Sequence, residues 1–351
     1  VTAVPERIGL ISSARPMVLG GGRFIVEWLE EKLRERGHQV EAIFIPTTEE
    51  PDSVLDQMFA FGLMDLDSHF DRVITFRPPA HMVRHRRKVC WFIHHIRHFY
   101  DLWDSPDYNP VHGKVAGEAL RDVIQAADTV ALAGAYRLFT NSRVMANRVK
   151  AFNGLDATVL YPPVLSPELF FDAGLGDEVV CICRLVHHKR QHLLVEAMGH
   201  VRSPLRLRLS GVASDEGYVA HLRRLAAQEG VEDRVIIENR WITEQEKAQQ
   251  LGGSLAAAYV PFDEDSYGYP TLEAAHARRC TLVLADGGGV TEFVTDGVTG
   301  LVVDPDPQAI GAALDSLYLD RQKTARMGEA ANDRIRELGI DWDTVIGQLL
   351  A

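Results

Sequence analysis

The stretch PFDEDSYGYPTLEAA, residues 261–275, holds the densest set of reactive side chains in the chain. Asp263, Glu264 and Asp265 crowd one loop, where like charges repel unless a ligand, hydrogen-bond donors or solvent compensate. Asp263 and Asp265 also form a D-x-D pattern that could hold Mg or Mn through oxygen, although short acidic triplets are common on solvated surfaces. Tyr269, Pro270 and Thr271 open a helix, and Glu273 falls in its first turn, where the helix dipole favours an acid with or without a ligand. In CRLVHHKRQHLL, residues 183–194, Arg184 ends a strand and Lys189 follows five residues later at a helix start. Two cations so placed can converge on one dianionic group, such as a diphosphate leaving group whose developing charge must be neutralised. A solvated charged surface is the plain alternative.

Three further segments carry weaker signals. LGGGRF, residues 19–24, puts Gly20, Gly21 and Gly22 before a helix, where backbone N–H groups and the dipole favour an anion; a tight turn explains them equally simply. The G-x-G-x-x-G spacing of a dinucleotide site is absent, and the second strand runs into Pro46 and Thr47 rather than an acid, so a nicotinamide cofactor is not expected. WFIHHIRHFYDLWD, residues 91–104, places His94 at a strand's carboxyl end, with His95 and His98 expected to cap or pack; a metal site from His94 and His98 lacks further ligands. ADGGGVTEF, residues 285–293, supplies a second glycine loop with Glu292. The basic run Arg84 to Lys88 reads as a solvated helix end sooner than a lipid contact.

These segments all follow apolar runs. Strands are expected at 7–12, 39–45, 72–76, 89–93, 137–140 and 157–160, alternating with helices such as 24–36 and 117–127. After Tyr161, Pro162 and Pro163 and a linker over 165–177, the alternation restarts with strands at 178–183, 205–210, 234–238, 255–260, 281–284 and 300–303. Helices at 191–198, 218–228, 245–251 and 269–277 separate them, and a helical tail follows. A βα alternation means a parallel sheet, so the expected class is α/β with two doubly wound domains facing across a cleft and ligands at the carboxyl ends of strands.

The chain has 351 residues, 46% hydrophobic and 25% charged, which fits a globular protein of two domains. Its net charge of −12 argues against general nucleic-acid binding. The deficit is lopsided, with −1 over residues 1–165 and −11 over the rest. Four scattered cysteines make neither a disulfide framework nor a zinc knuckle, and Cys181 and Cys183 should share a core-facing side. Without an apolar run of spanning length or a signal-like start, a cytoplasmic protein is expected, with at most peripheral membrane contact.

Taken in order, LGGGRF, WFIHHIRHFYDLWD, FTNSRVMANRVKAF with its YPPV exit, CRLVHHKRQHLLVEAM, DSYGYPTLEAA, and GGGVTEF followed by DGVTGLVVDP resemble the retaining GT-B glycosyltransferases of family 4, the glycosyltransferases group 1. The resemblance implies two Rossmann-like domains: 1–165 binding the acceptor, 166–325 binding the nucleotide-sugar donor, and C-terminal helices over 326–351 packing back toward the first. It implies that His94 lies beside the transferred sugar and that Gly21 and Gly22 approach the donor phosphates. Arg184 and Lys189 then face the diphosphate, Thr271 and Leu272 give it backbone N–H groups, and Glu273 holds the ribose hydroxyls. Gly211, Trp241 and Tyr269 complete the donor site, with base choice set near Gly211 and residues 240–242. The family's first acid lies eight residues before the second, which here is Asp265, with Glu264 as the fallback. The implied reaction moves a sugar from a UDP- or GDP-sugar to a saccharide, lipid-linked or small-molecule acceptor shaped by loops 46–62 and 101–113. It is metal-independent, needs no cofactor, and runs by front-face transfer in which the departing diphosphate accepts the acceptor's proton. A nucleotide-sugar epimerase or hydrolase of the same fold, and a degenerate donor-binding protein, are the alternatives.

Overall fold

The computed structural model describes every residue except 1–3, 17–19, 49, 105–108, 110–114 and 265. The chain forms two compact units: Val1–Pro162 with Asp341–Ala351, and Pro163–Ile340.

The first unit alternates β1 (Arg7–Ala14), α1 (Gly21–Glu35), β2 (Gln39–Pro46), α2 (Pro51–Gly62), β3 (Arg72–Thr75), β4 (Lys88–Phe92), α3 (Val115–Ala133), β5 (Arg137–Thr140), α4 (Arg143–Asn153) and β6 (Thr158–Val159). Its strands pair in parallel in the order β2-β1-β3-β4-β5-β6. β3 and β4 are buried along their whole length, as parallel strands covered on both faces must be. Ile25, Val26, Leu29 and Leu33 of α1 cover one face of this sheet, and Phe61, Phe70, Val73 and Val83 fill a second cluster with Ile11 of β1.

The second unit continues with β7 (Glu178–Ile182), α5 (Gln191–Met198), β8 (Arg206–Ser210), α6 (Glu216–Gln228), β9 (Val235–Glu238), α7 (Glu244–Gly252), β10 (Ala256–Ala258), α8 (Tyr269–His276), β11 (Thr281–Leu284), α9 (Val290–Phe293), β12 (Gly300–Val303), α10 (Pro307–Leu319) and α11 (Arg321–Glu337). Its parallel order is β12-β11-β10-β7-β8-β9. Each sheet therefore reverses strand order once, between β1 and β3 in the first and between β7 and β10 in the second. Crevices at the carboxyl ends of strands open at such reversals.

Two details differ from the reading of the sequence, and a third lies mostly outside the described residues. The segment 46–62 is not all loop: Pro51 begins α2, whose Val54, Met58 and Phe61 recur at helical spacing on its buried side. Most of loop 101–113 lies outside the described residues. The basic run 84–88 is no helix end, because it leads into β4; Arg84 and Arg86 are exposed, while Lys88, His85 and Arg87 meet partners within the protein. Lys88 Nζ donates to the carbonyls of His81 (2.7 Å) and Ala131 (2.8 Å), His85 Nε2 lies 3.1 Å from the Phe70 carbonyl, and Arg87 pairs with Glu6.

The linker is fastened to the second unit. Buried Arg279 donates to Asp172 and to the carbonyls of Gly174 and Gly252, and Arg321 donates to the carbonyls of Leu175 and Gly176. α11 stays with this unit too, through Met327 in its core and an Asn332 hydrogen bond to the Ala275 carbonyl. Of the helical tail, only α12 (Trp342–Leu350) belongs to the first unit. Asp341 caps it by accepting from the Thr344 N–H, and Trp342, Val345, Ile346 and Leu349 enter the same cluster as α1. Its last turn ends on Arg72, a wholly buried guanidinium that donates to the Leu349 and Leu350 carbonyls and pairs with Glu6. Among the described residues no helix is long and apolar enough to cross a membrane.

Candidate functional site

In the second unit the loop after β7 is folded by its own side chains. Gln191 Nε2 donates to the Arg184 carbonyl (2.9 Å), a single 3-10 turn covers His187–Lys189, and Arg190 adopts a left-handed backbone (φ 53°) before α5 begins. This turn aims Lys189 inward, where only 9% of its side chain is exposed. Its ammonium donates to the Tyr259 hydroxyl (2.8 Å) and forms an ion pair with Glu264. Burial opposes the charge of Lys189, yet the Tyr259 oxygen and the Glu264 carboxylate more than offset it, so the amine holds its proton more firmly than an ordinary lysine. Arg184 takes the opposite course. It is exposed, and its guanidinium has no hydrogen-bond or ion-pair partner among the described residues. The two cations are thus in one loop but not on one partner.

The acidic loop is held from three sides. Arg190 clamps its start, donating to the carbonyls of Val260 (3.0 Å) and Pro261 (2.7 Å) and engaging both oxygens of Asp286 at 2.6 and 2.7 Å. The glycine loop after β11 pairs with Glu264: its N–H donates to the Gly287 carbonyl (3.0 Å), and its carbonyl accepts from Gly289 (2.8 Å). Gly288, with φ 69°, admits this approach, since a Cβ there would lie 2.5 Å from the Glu264 oxygen. Gly268 (φ 73°) then turns the chain into α8, its Cα packed on the Tyr259 ring. Asp265, the residue at the family's first-acid position, lies outside the described residues, so the D-x-D pattern has no described geometry. Among the described residues no three His, Cys, Asp or Glu side chains are arranged to hold a metal.

On α8 the Thr271 hydroxyl donates to the Tyr267 and Gly268 carbonyls, both at 2.8 Å, and Leu272 is fully buried. Glu273 is buried as well and accepts from Lys247 of α7 at 2.6 Å. Burial pushes its carboxyl up and Lys247 pulls it part of the way back. Burial together with Glu273 raises the Tyr269 hydroxyl. Gly211 follows β8 in a conformation that favours glycine (φ 151°), where a Cβ would lie 2.1 Å from the Cys183 carbonyl oxygen, and Trp241 stands 54% exposed between β9 and α7. The structure thus joins Lys189 to Glu264 directly and Glu273 to Lys247 separately.

In the first unit His94 leaves β4 with both ring nitrogens engaged. Nδ1 lies 2.7 Å from the His95 carbonyl, and Nε2 accepts from Arg77 Nε at 3.2 Å, which places the ring proton on Nδ1 and leaves the imidazole neutral. Gly22 of α1 packs on the same arginine, its would-be Cβ 3.1 Å from Arg77 Cδ, while Gly21 opens the helix. A recess of about 300 Å³, counting its open mouth, lies at these strand ends, lined by Ser13, Thr47, Thr48, Gln57, Arg77 and His94 among others. His95 turns into the core, 2.9 Å from Asn153 and stacked on Tyr100; burial holds its pKa at about 4. His98 is buried beside Phe99.

Tyr259, Arg190, Asp286, Lys247 and Arg77 went unread in the sequence. Arg190 beside Lys189, and Asp286 at the head of the glycine loop, were the available signals; Lys247 was hidden by its neighbours Glu244 and Glu246.

Residues 175–334 match the family model of the glycosyl transferases group 1. The GDP-mannose-dependent alpha-(1-6)-phosphatidylinositol monomannoside mannosyltransferase of Mycolicibacterium smegmatis is 31% identical over 235 residues, covering 62% of this chain and 59% of the relative. Alpha-maltose-1-phosphate synthase of the same organism is 29% identical over 250 residues, covering 66% of this chain and 64% of the relative. The chain therefore spans about three fifths of the length of these relatives. Among solved structures, sucrose-phosphate synthase from Thermosynechococcus elongatus superposes with a TM-score of 0.77 at 18% identity, covering 98% of each chain. Residues 175–334, most of the second unit, are thus similar to the glycosyl transferases group 1, and the chain shares with sucrose-phosphate synthase a fold of two Rossmann-like domains.

Proposed function

We propose that the protein transfers a sugar from a nucleoside-diphosphate sugar, held by the second unit, to a hydroxyl of an acceptor held by the first. The observation that carries this reading is the buried Lys189 ammonium at the strand-order reversal of the second sheet, with the exposed Arg184 guanidinium in the same loop. A diphosphate leaving group develops charge as the glycosidic bond breaks, and fixed cations in a site of low dielectric stabilise it without reorganisation. These two side chains give the neutralisation a protein source, which is the support for metal-independent transfer. Glu273, held toward its charged form by Lys247, suits a role as acceptor for the two ribose hydroxyls. GDP-mannose in the name of the mannosyltransferase relative favours GDP over UDP as the leaving group.

Retention of configuration follows if the acceptor hydroxyl attacks from the face that the diphosphate leaves, passing its proton to a diphosphate oxygen. The bond from the anomeric carbon to the phosphate oxygen breaks, the bond to the acceptor oxygen forms, and the proton ends on the released diphosphate. The recess of the first unit, rich in hydroxyl and amide groups, is the proposed acceptor seat. The chain's four cysteines, all free thiols, fit a cytoplasmic setting.

Calorimetry with UDP, GDP and ADP, with and without divalent metal, tests the donor site. One nucleotide is expected to bind equally well in chelator and to lose affinity in Lys189→Ala and Glu273→Ala. Proton NMR of the product tests the stereochemistry, with an inverted anomeric centre sinking front-face transfer. Free sugar or an isomerised nucleotide sugar as the main product with every acceptor would favour hydrolysis or epimerisation instead.

A further inference from the structure

Lys189 and Glu264 occupy each other, and this bears on what Glu264 is for. An ammonium has three donors. In Lys189 one goes to the Tyr259 hydroxyl beneath it and another to the Glu264 carboxylate above it. The pair is well covered, with 9% of the lysine and 24% of the glutamate side chain exposed, so solvent screens it little. Tyr259 is a fixed support: it sits at the strand end, buried, with Gly268 against its ring. Glu264 is the movable partner, since its backbone is splinted by Gly287 and Gly289 while its side chain reaches back across the loop to the lysine. A diphosphate brought to Lys189 would meet that carboxylate at close range, and two anions on one cation repel.

We propose that Glu264 is the resident counter-ion of Lys189, displaced when a diphosphate arrives, and is not a ligand of the transferred sugar. The carboxylate keeps a buried cation compensated while the site is empty, which a lone buried ammonium could not sustain cheaply. The incoming diphosphate takes over that compensation, and the side chain rotates away about its own torsions while the splinted backbone stays. Arg184, exposed and without a partner among the described residues, gives the diphosphate its first contact. Nucleotide affinity is therefore set as a difference, with the attraction of Lys189 reduced by the cost of removing Glu264. This inference rests on the donor-site reading above.

The experiment is calorimetry of UDP, GDP, ADP and inorganic pyrophosphate against the wild-type chain, Glu264→Gln, Lys189→Ala and the double variant. Removing the competing charge is expected to tighten the best nucleotide, and pyrophosphate with it, by about tenfold. That gain should vanish in the Lys189→Ala background. Damage to the loop cannot produce tighter binding, and Glu264→Ala repeats the test should the glutamine variant fail to fold. Unchanged or weaker nucleotide binding in Glu264→Gln, with Lys189→Ala still harmful, overturns the counter-ion role and leaves the donor site standing. If no probe binds either the wild type or Glu264→Gln, the donor-site reading itself falls and this inference with it.

Discussion

At the strand ends of the second unit Lys189, Arg190 and Lys247 each meet a carboxylate, those of Glu264, Asp286 and Glu273. The corresponding strand ends of the first unit carry hydroxyl and amide side chains around a neutral histidine, with Arg77 spending its Nε on that histidine. Both sheets are doubly wound and both reverse order where these residues lie, so the contrast comes from the side chains and not from the fold. A cation stored beside a carboxylate can exchange one anion for another with little net change in charge. The recess of the first unit, lined by Arg77 but by no carboxylate among the described residues, offers no such exchange.

The largest effect that could break this contrast is expected from Lys189→Ala. Losing a preorganised cation at a developing diphosphate should lower kcat/KM by about 10²–10³-fold, with nucleotide affinity falling in parallel. If steady-state kinetics show less than a twofold change, the charged region is structural. A smaller effect, of about tenfold on kcat, is expected from Arg77→Met, because the His94 ring loses the donor to its Nε2 and with it one of the hydrogen bonds that orient it. Nucleotide affinity should stay unchanged in that variant, and ¹⁵N spectra should report a change at His94 Nε2. A matching loss of nucleotide binding would erase the distinction between the regions.

The smallest effect concerns acid. Burial holds His95 of the first unit and His276 of the second at about 4, against an ordinary 6.5. Between pH 6.5 and 4 the unfolded chain therefore binds protons that the folded one refuses, and stability falls as pH drops through that window. His95→Gln keeps a hydrogen-bonding group near Asn153 and removes the titration. Its melting temperature should decline less than that of the wild type from pH 7 to 4, and an equal decline would remove His95 from the account.

The order of strands and helices was legible because the apolar runs and their Gly and Pro breaks are local signals. α2 was missed because residues 46–62 were read as one loop, whereas Pro51 is the first residue of a helix. At the site, the cations and Glu273 could be named from strand-to-helix junctions. Their partners could not, since Lys189 and Tyr259 stand 70 positions apart, Arg190 and Asp286 stand 96 apart, and Lys247 and Glu273 stand 26 apart. Residue types suggest charge, while only the folded sheet decides which charges meet.

The return of α12 to the first unit makes that unit discontinuous in sequence, with residues 163–340 inserted within it. During synthesis every residue of the second unit emerges before Trp342, Val345, Ile346 and Leu349 are available to close the first unit's core. The unit begun first is thus the one completed last. Until then α1 and its sheet present an uncovered apolar surface, and Arg72 lacks the carbonyls it is built to hold. Translation arrest or cleavage after Ile340 would leave a finished second unit attached to an unfinished first, a species for chaperones and proteases rather than for catalysis.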